Sequence, residues 1–303
     1  MKNKTREQLI SMYVDALKEN VIPWRKRWSS SLNKNGVTGI DYKGVNQLIL
    51  SYISYKEKYD DNRWLTYHQI QEKNYTLKNA KGKGVPIEFW SVYDYKNKKR
   101  LDFDKYIKII DKFPEKKDEF KIFCNISYVF NASLVEGIEP IKKNDKTRKP
   151  TNNIIKKMIN KLDINYKEEG NMAYYNPSQD LIVLPPSNQF FDKYSYYATQ
   201  LHELCHSTGH EKRLNRNLIN NDKKEYAKEE LIAEIGSSFL MQKLNVRTNE
   251  DDYNNHKSYI QSWIKLLEDK PNELFKAVNE ANKICNYIDE KIKDKGKERK
   301  EER

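Results

Sequence analysis

The 303-residue chain predicts an α+β protein of two domains, a basic N-terminal α+β domain and a mainly helical C-terminal domain with a small sheet. Charge is the first sign. Residues 1–150 carry 31 Lys and Arg against 19 Asp and Glu, whereas residues 151–303 carry 25 of each, so the whole net charge of +12 lies in the first half. Apolar spacing is the second, since strand-like and helical patterns mix in the first half while helical periods dominate the second. Glu139 to Asn153, polar, basic and holding Pro140 and Pro150, is the third, and suits a linker. The expected layout is therefore 1–138, a linker at 139–153, 154–292, and a charged tail at 293–303.

The elements follow in order. Thr5 with Gln8 forms a capping-box pair, and Leu9, Met12, Tyr13, Ala16 and Leu17 recur at helical spacing, which predicts a first helix from about Thr5 to Asn20. Pro23 stops it, and Ser29 to Gly39 reads as a loop. Tyr42 to Tyr55 and Thr66 to Lys73 read as helices, and Pro86 to Tyr93 and Lys121 to Asn131 as strands rich in aromatic and β-branched residues. The charged stretch from Asp102 to Glu119 reads as an insertion. After the linker come a helix at Ile154 to Leu162, a hairpin of Met172–Tyr175 with Asp180–Leu184, and a helix from about Asp192 to Thr208. Gly209 is expected at a helix end, where a positive φ is cheap for glycine. Helices at Lys223–Leu244, Asn255–Leu267 and Pro271–Ile292 close the chain.

Composition narrows the function classes. No run of eighteen apolar residues occurs, and the first residues, MKNKTREQLI, lack the apolar stretch of a secretory signal, so a cytoplasmic protein without a membrane span is expected. Cys124, Cys205 and Cys285 are odd in number and widely spaced, which indicates neither a disulfide framework nor a cysteine metal cluster. The basic half suits a polyanion such as nucleic acid.

The chemistry concentrates in His202-Glu203-Leu204-Cys205-His206. Residues four apart share a helix face, so His202 and His206 reach one metal ion with Glu203 beside it as general base, the signature of a zincin-type metallopeptidase. Only five histidines exist, His68, His202, His206, His210 and His256, which makes chance clustering a poor explanation. A catalytic ion needs a third protein ligand. One zincin branch takes a His six residues after the second, but Lys212 stands there, and its ammonium does not ligate. The other branch takes a Glu from a later helix, and Glu229-Glu230-Leu231-Ile232-Ala233-Glu234 supplies it. Glu230 is read as the third ligand and Glu234 as the carboxylate that holds a ligating imidazole by its far nitrogen, with exchange of the two roles as the rival. Zn2+ or another divalent ion is the expected cofactor. Asp180–Leu184 is read as an edge strand for an extended peptide, and Tyr226, His256 and Tyr259 as the oxyanion-side candidates. His210, next to Gly209, is read as a surface or capping residue, and Cys205 as small apolar filling.

With both motif sets in view, the chain resembles the ArdC-type antirestriction proteins of plasmids and other mobile elements. The likeness rests on Pro23-Trp24-Arg25-Lys26 with Trp28, Tyr42-Lys43-Gly44-Val45-Asn46, Arg63-Trp64-Leu65-Thr66 with Gln69, and Tyr128-Val129-Phe130-Asn131. In the second half it rests on Leu201 to His210 with Arg213-Leu214, on Glu229 to Ile235, and on Tyr259 and Trp263. The charged stretch near Asp102 to Glu119 departs from the pattern, and Cys205 stands where a small residue such as Ala is usual. The resemblance implies a single-stranded-DNA-binding N-terminal domain joined to a zincin-like domain, in a protein that shields incoming DNA from host restriction during conjugative transfer. An active DNA-recruited metalloprotease with a protein substrate is the alternative. Single strands are held by stacked aromatic rings and a basic groove. The candidate DNA contacts are Trp24, Arg25, Lys26, Trp28, Tyr42, Lys43, Asn46, Arg63, Trp64, Lys81 and Lys83, with at least one of the three tryptophans expected in the core.

Overall fold

The computed structural model describes residues 2–19, 31–141, 152–216, 218, 222–246 and 257–293. Helix α1 (Lys2–Lys18) starts earlier than the pattern predicts, so Thr5 lies inside the helix rather than at its cap. Its apolar stripe of Leu9, Ile10, Tyr13, Val14 and Leu17 is buried. Strand β1 (Lys34–Asn35), helix α2 (Gly44–Lys56), β2 (Arg63–Thr66) and α3 (Tyr67–Glu72) follow. Thr66 caps α3 reciprocally: its hydroxyl accepts from the Gln69 N–H at 3.2 Å, while its own N–H donates to Gln69 Oε1 at 3.0 Å.

Strands β3 (Thr76–Leu77), β4 (Val85–Asp94) and β5 (Lys99–Leu101), helix α4 (Phe103–Lys112), and strands β6 (Phe120–Asn131) and β7 (Val135–Glu136) complete the N-terminal part. The five-stranded sheet runs β1-β2-β6-β4-β5, with β1 parallel to β2 and the other pairs antiparallel. Its spine is the β4–β6 ladder, paired without interruption from Val85↔Val129 to Asp94↔Phe120. Val85, Ile87 and Val129 pack on Ile49 and Leu50 of α2 and Leu9 of α1. The supposed insertion follows edge strand β5 and supplies α4, whose Phe103 and Tyr106 rings lie 5.7 and 5.4 Å from those of Trp90 and Phe120. An amphipathic segment of this kind is built into the fold, and its charge belongs to the solvent face.

Helix α5 (Asn152–Lys161) opens the C-terminal part, followed by β8 (Asn165–Glu168), β9 (Tyr174–Asn176), β10 (Leu181–Leu184), α6 (Lys193–Ser207), α7 (Lys223–Lys243), α8 (Lys257–Asp269) and α9 (Glu273–Lys293). Sequence reading missed β8, whose Asn-Tyr-Lys-Glu carries one apolar side chain and little period. Because β8 pairs in parallel with β10, the order is β8-β10-β9 and Leu181–Leu184 is the central strand, not an edge. All four of its residues are buried, as a strand covered on both faces requires. The open edge next to the metal helix belongs to β9. Gly209 also departs from expectation, for it is not among the residues of positive φ. Glycine is needed there for space: a Cβ would stand 2.5 Å from Leu218 Cδ2.

The two halves share a core. Tyr13 and Leu17 of α1 and Leu48 of α2 cluster with Leu231 and Phe239 of α7, Trp263 and Leu267 of α8, and Val278 of α9. A second core joins α5, β10, α6, α7 and α9 through Ile155, Ile182, Leu201, Leu204, Ala233, Leu240 and Ile284. Across the joint, buried Gln47 donates to Gln242 Oε1 at 2.7 Å, which sets α2 against the helix that carries Glu230. Among the described residues no helix is long and apolar enough to cross a membrane.

Candidate metal centre

Helix α6 begins where Asp192 accepts from the Ser195 N–H at 2.8 Å, and it buries Leu201, Leu204 and Cys205. That register turns His202 and His206 to the opposite side, one turn apart. Helix α7 lies close against α6 because Gly236 has no side chain: a Cβ there would meet Cys205 Sγ at 3.0 Å. The close approach carries Glu229, Glu230 and Glu234 up to the two imidazoles.

His202, His206 and Glu230 converge as a possible ligand set, their donor atoms within 4.8 Å of one another. The two Nε2 atoms are 3.0 Å apart, and the Glu230 carboxylate reaches the His202 Nε2 at 3.4 Å and the His206 Nε2 at 3.5 Å. Glu234 lies on the far side of His202, 3.6 Å from Nδ1, longer than a hydrogen bond but close enough for charge; that Nδ1 is buried and has no hydrogen-bond partner. The arrangement fits a dication. Donors about 3.0–3.5 Å apart suit an ion with bonds of about 2.0–2.2 Å, and four carboxylates, Glu203 included, surround two imidazoles and one arginine.

Glu229 was missed by sequence reasoning. It sits behind His206, its Oε1 3.1 Å from Nδ1, and Arg216 clamps it with two hydrogen bonds of 3.0 and 2.8 Å. Arg216 also donates to Thr208 Oγ1 and to the Cys205 carbonyl, fastening the end of α6 to the start of α7. A helix turns about 100° per residue, so consecutive acids straddle a line facing a neighbouring helix: Glu229 meets His206 from behind, while Glu230 faces the Nε2 atoms of both histidines. Three acids in six residues were the available signal for Glu229; Arg216 has no local signature.

Burial opposes protonation of His202, but Glu230 and Glu234 outweigh it and raise its pKa to about 10. For His206 burial is likewise overcome, by Glu229 and Glu230, which raise it to about 9. Burial alone would raise Glu230, yet the two imidazoles hold it well below the ordinary carboxylate range. Without metal the surrounding carboxylates favour protonation of the imidazole pair, whose facing Nε2 atoms lie 3.0 Å apart, and an ion must displace the proton held there. Metal affinity is expected to rise about ten- to a hundredfold per pH unit between pH 6 and 8, measured by competition with a chelator of known proton linkage. A flat profile would refute proton displacement.

A cleft of about 230 Å³ opens over the site, lined in part by Tyr174, Tyr175, His202, Glu203, Tyr226 and Glu230. Glu203 is buried at its floor. Of the oxyanion-side candidates Tyr226 lines this cleft, whereas His256 and the Tyr259 side chain lie outside what is described. His210 lies in a neighbouring polar hollow, apart from the ligand group, and Cys205 is fully buried.

The candidate DNA contacts fare unevenly. Trp24, Arg25, Lys26 and Trp28 lie outside the described residues. Trp64 is fully buried and donates to Asn33 Oδ1 at 3.0 Å, so it has no face for a base. Asn46 is engaged with β4, donating to the Glu88 carbonyl at 2.7 Å and accepting from the Glu88 N–H at 2.8 Å. Arg63 is held by Asp61 and the Glu139 carbonyl, and Tyr42 packs half-buried on the sheet core. These four are structural commitments that sequence adjacency to basic residues could not reveal. Lys43, Lys81 and Lys83 remain exposed, with Lys83 3.7 Å from Glu57.

Comparison with known proteins settles the kinship. Residues 3–130 match the family described as the N-terminal domain of anti-restriction factor ArdC, and residues 153–280 match the zincin-like metallopeptidase family. The chain is of the ArdC type. Two crystal structures of the antirestriction protein ArdC from plasmid R388, metal-free and Mn(II)-bound, superpose on this ArdC-type chain with TM-scores of 0.73 and 0.72 at 26% identity. They cover 95% of this chain and 98% and 97% of theirs. An Escherichia coli protein described as DNA primase TraC is 32% identical over 298 residues, 95% of this chain but 27% of that protein, so the chain spans about a quarter of that relative. Protein y4eC of Sinorhizobium fredii is 26% identical over 93% of this chain and 90% of its own length.

Proposed function

We propose that this chain is an antirestriction protein of a mobile element, which binds single-stranded DNA through its N-terminal half and protects incoming DNA from restriction in the recipient cytoplasm. The observation that carries this reading is the confinement of the whole +12 charge to the half that matches the ArdC N-terminal domain. The C-terminal half is a divalent-metal centre held by His202, His206 and Glu230, with Glu234 and Glu229 orienting the two imidazoles from behind. Zn2+ is the expected ion, and the Mn(II)-bound relative supports a divalent metal in general.

A second reading, hydrolysis of a protein substrate, is favoured by the buried Glu203 on the cleft floor beside the ligand nitrogens. When bound, the ion supplies Lewis acidity toward water and a carbonyl. Glu203 accepts the proton from the attacking water and returns it to the leaving amine. The exposed edge of β9, with Tyr174 at the cleft, offers backbone groups that align an extended chain.

One pair of measurements tests both readings. In mobility shifts, affinity for single strands should exceed that for duplex and fall steeply with salt; no binding at low salt would end the DNA reading. Glu203→Gln should keep metal and DNA binding while lowering any peptide hydrolysis by about 10²–10⁴-fold. Unchanged protection of incoming DNA in that variant would make proteolysis irrelevant to the function.

A further inference from the structure

We propose that the open face of the β6–β4–β5 sheet is the base-stacking platform for single-stranded nucleic acid, an inference that rests on the DNA-binding reading and gives it a place. Residues paired across an antiparallel ladder share a face, and alternate residues on a strand return to it. The register therefore puts Phe89 with Asn125, Ser91 with Phe123, and Tyr93 with both Lys121 and Arg100 on one side. This is the side whose near end, at Val85, Ile87 and Val129, is buried under α1 and α2. Beyond Ile87 it emerges into solvent: Phe89 is 61% exposed, Phe123 40% and Tyr95 51%. The other side at this end carries α4, seated on Trp90 and Phe120, and leaves Ile122 41% exposed.

The exposed patch has a definite chemistry. Phe89 and Phe123 are diagonal neighbours on adjacent strands, about 7–8 Å apart, near enough for consecutive bases of an extended strand. The Tyr93 ring meets Tyr95 edge-on at 5.5 Å, and Lys121 Nζ lies 5.4 Å from the Phe123 ring centre. Lys121 and Arg100 flank Tyr93 as a basic row. No carboxylate occupies the paired positions of this face. The acids of β4 alternate away from it, Glu88 toward Arg6 and the Trp90 indole, Asp94 toward Asn97. Flat rings on neighbouring strands and cations at one end, with no acid in the paired positions between them, match unpaired bases on a phosphate backbone. A duplex, with its bases stacked inside, offers these rings nothing to stack on.

The test is fluorescence anisotropy of the full chain with a labelled oligothymidylate of about 16 nucleotides and with a duplex of similar length. Phe89→Ala and Phe123→Ala should each weaken single-strand binding roughly five- to a hundredfold, with thermal stability and metal affinity unchanged. Phe89→Tyr, which keeps a ring, should bind as the parent does. Changing Lys121 and Arg100 to Gln should lower the salt slope by about 0.7 each. If the parent binds and both alanine variants bind equally well, the platform is wrong while the DNA reading stands. A parent chain that fails to bind single strands at low salt removes both. Altered self-association by sedimentation, with DNA affinity unchanged, would make the face a contact between copies and overturn the proposal.

Discussion

Arg213→Ala is expected to destabilise the chain by about 3–5 kcal/mol, the usual consequence of removing one partner of a buried ion pair. The Arg213 side chain is 3% exposed and forms a fork on Asp180, with its second arm donating to Asp180 Oδ2 at 3.0 Å. It also donates to the Tyr175 hydroxyl and to the carbonyls of Ser207 and Leu162, which ties β9, β10, α5 and the end of α6 together. Alanine leaves the Asp180 carboxylate buried without its cation and removes one donor each from the Tyr175 hydroxyl and the Leu162 and Ser207 carbonyls, of which Ser207 keeps the His210 N–H. The midpoint of thermal unfolding should fall by about 10 °C, and replacing Asp180 and Arg213 together by apolar residues should recover much of the loss. A change below about 0.5 kcal/mol for the single variant, the size of an ordinary surface substitution, would refute the buried-fork account.

The pair also predicts an acid dependence. Burial alone would raise Asp180, but hydrogen bonds from Arg213 and Tyr175 overcome it and leave the pKa below its ordinary value. A carboxylate lowered in the folded state contributes stability above its unfolded pKa of about 3.9, and the contribution is lost as pH falls through the folded value. In urea titrations the difference between parent and Arg213→Ala should therefore be full at neutral pH and shrink as pH falls below about 4.

Glu230→Gln should lower divalent-metal affinity by more than the 10- to 100-fold expected for Glu234→Gln. The geometric reason is that Glu230 reaches toward both Nε2 atoms, at 3.4 and 3.5 Å, whereas Glu234 faces only the far nitrogen of His202 at 3.6 Å. Loss of a donor removes a bond to the ion; loss of the carboxylate behind a donor frees a ring to turn. Chelator competition on the two variants and on Glu229→Gln ranks the three acids. If Glu234→Gln is the more damaging, the roles assigned to Glu230 and Glu234 are exchanged.

Much of the secondary structure was legible because it is local. The α2, α3, β4, β6, α6 and α7 segments announce themselves through apolar period or caps, and the observed ends differ from the expected ones by a few residues. What misled was position in space. Asp180–Leu184 reads as a strand whether it lies at an edge or in the middle, and only the parallel partner β8 makes it central. Trp64 beside Arg63 looks like an exposed stacking pair, yet alternation along β2 turns the ring into the core and leaves the arginine at the rim. A glycine after a helix suggests a positive φ, but Gly209 is demanded by the approach of Leu218.

The sequence by itself determined the chemistry on offer: two imidazoles one turn apart with Glu203 between them, carboxylates at one face of a later helix, and a positive charge confined to the first half. Spacing along a helix is enough for that, since the period is a property of the backbone. Tertiary structure alone decided which carboxylate meets which nitrogen, that Arg216 and Glu229 stand behind His206, that the two halves share one core, and which sheet face stays open. Those facts depend on how closely α7 approaches α6 and on strand register, contacts between residues distant in the chain that no local pattern encodes.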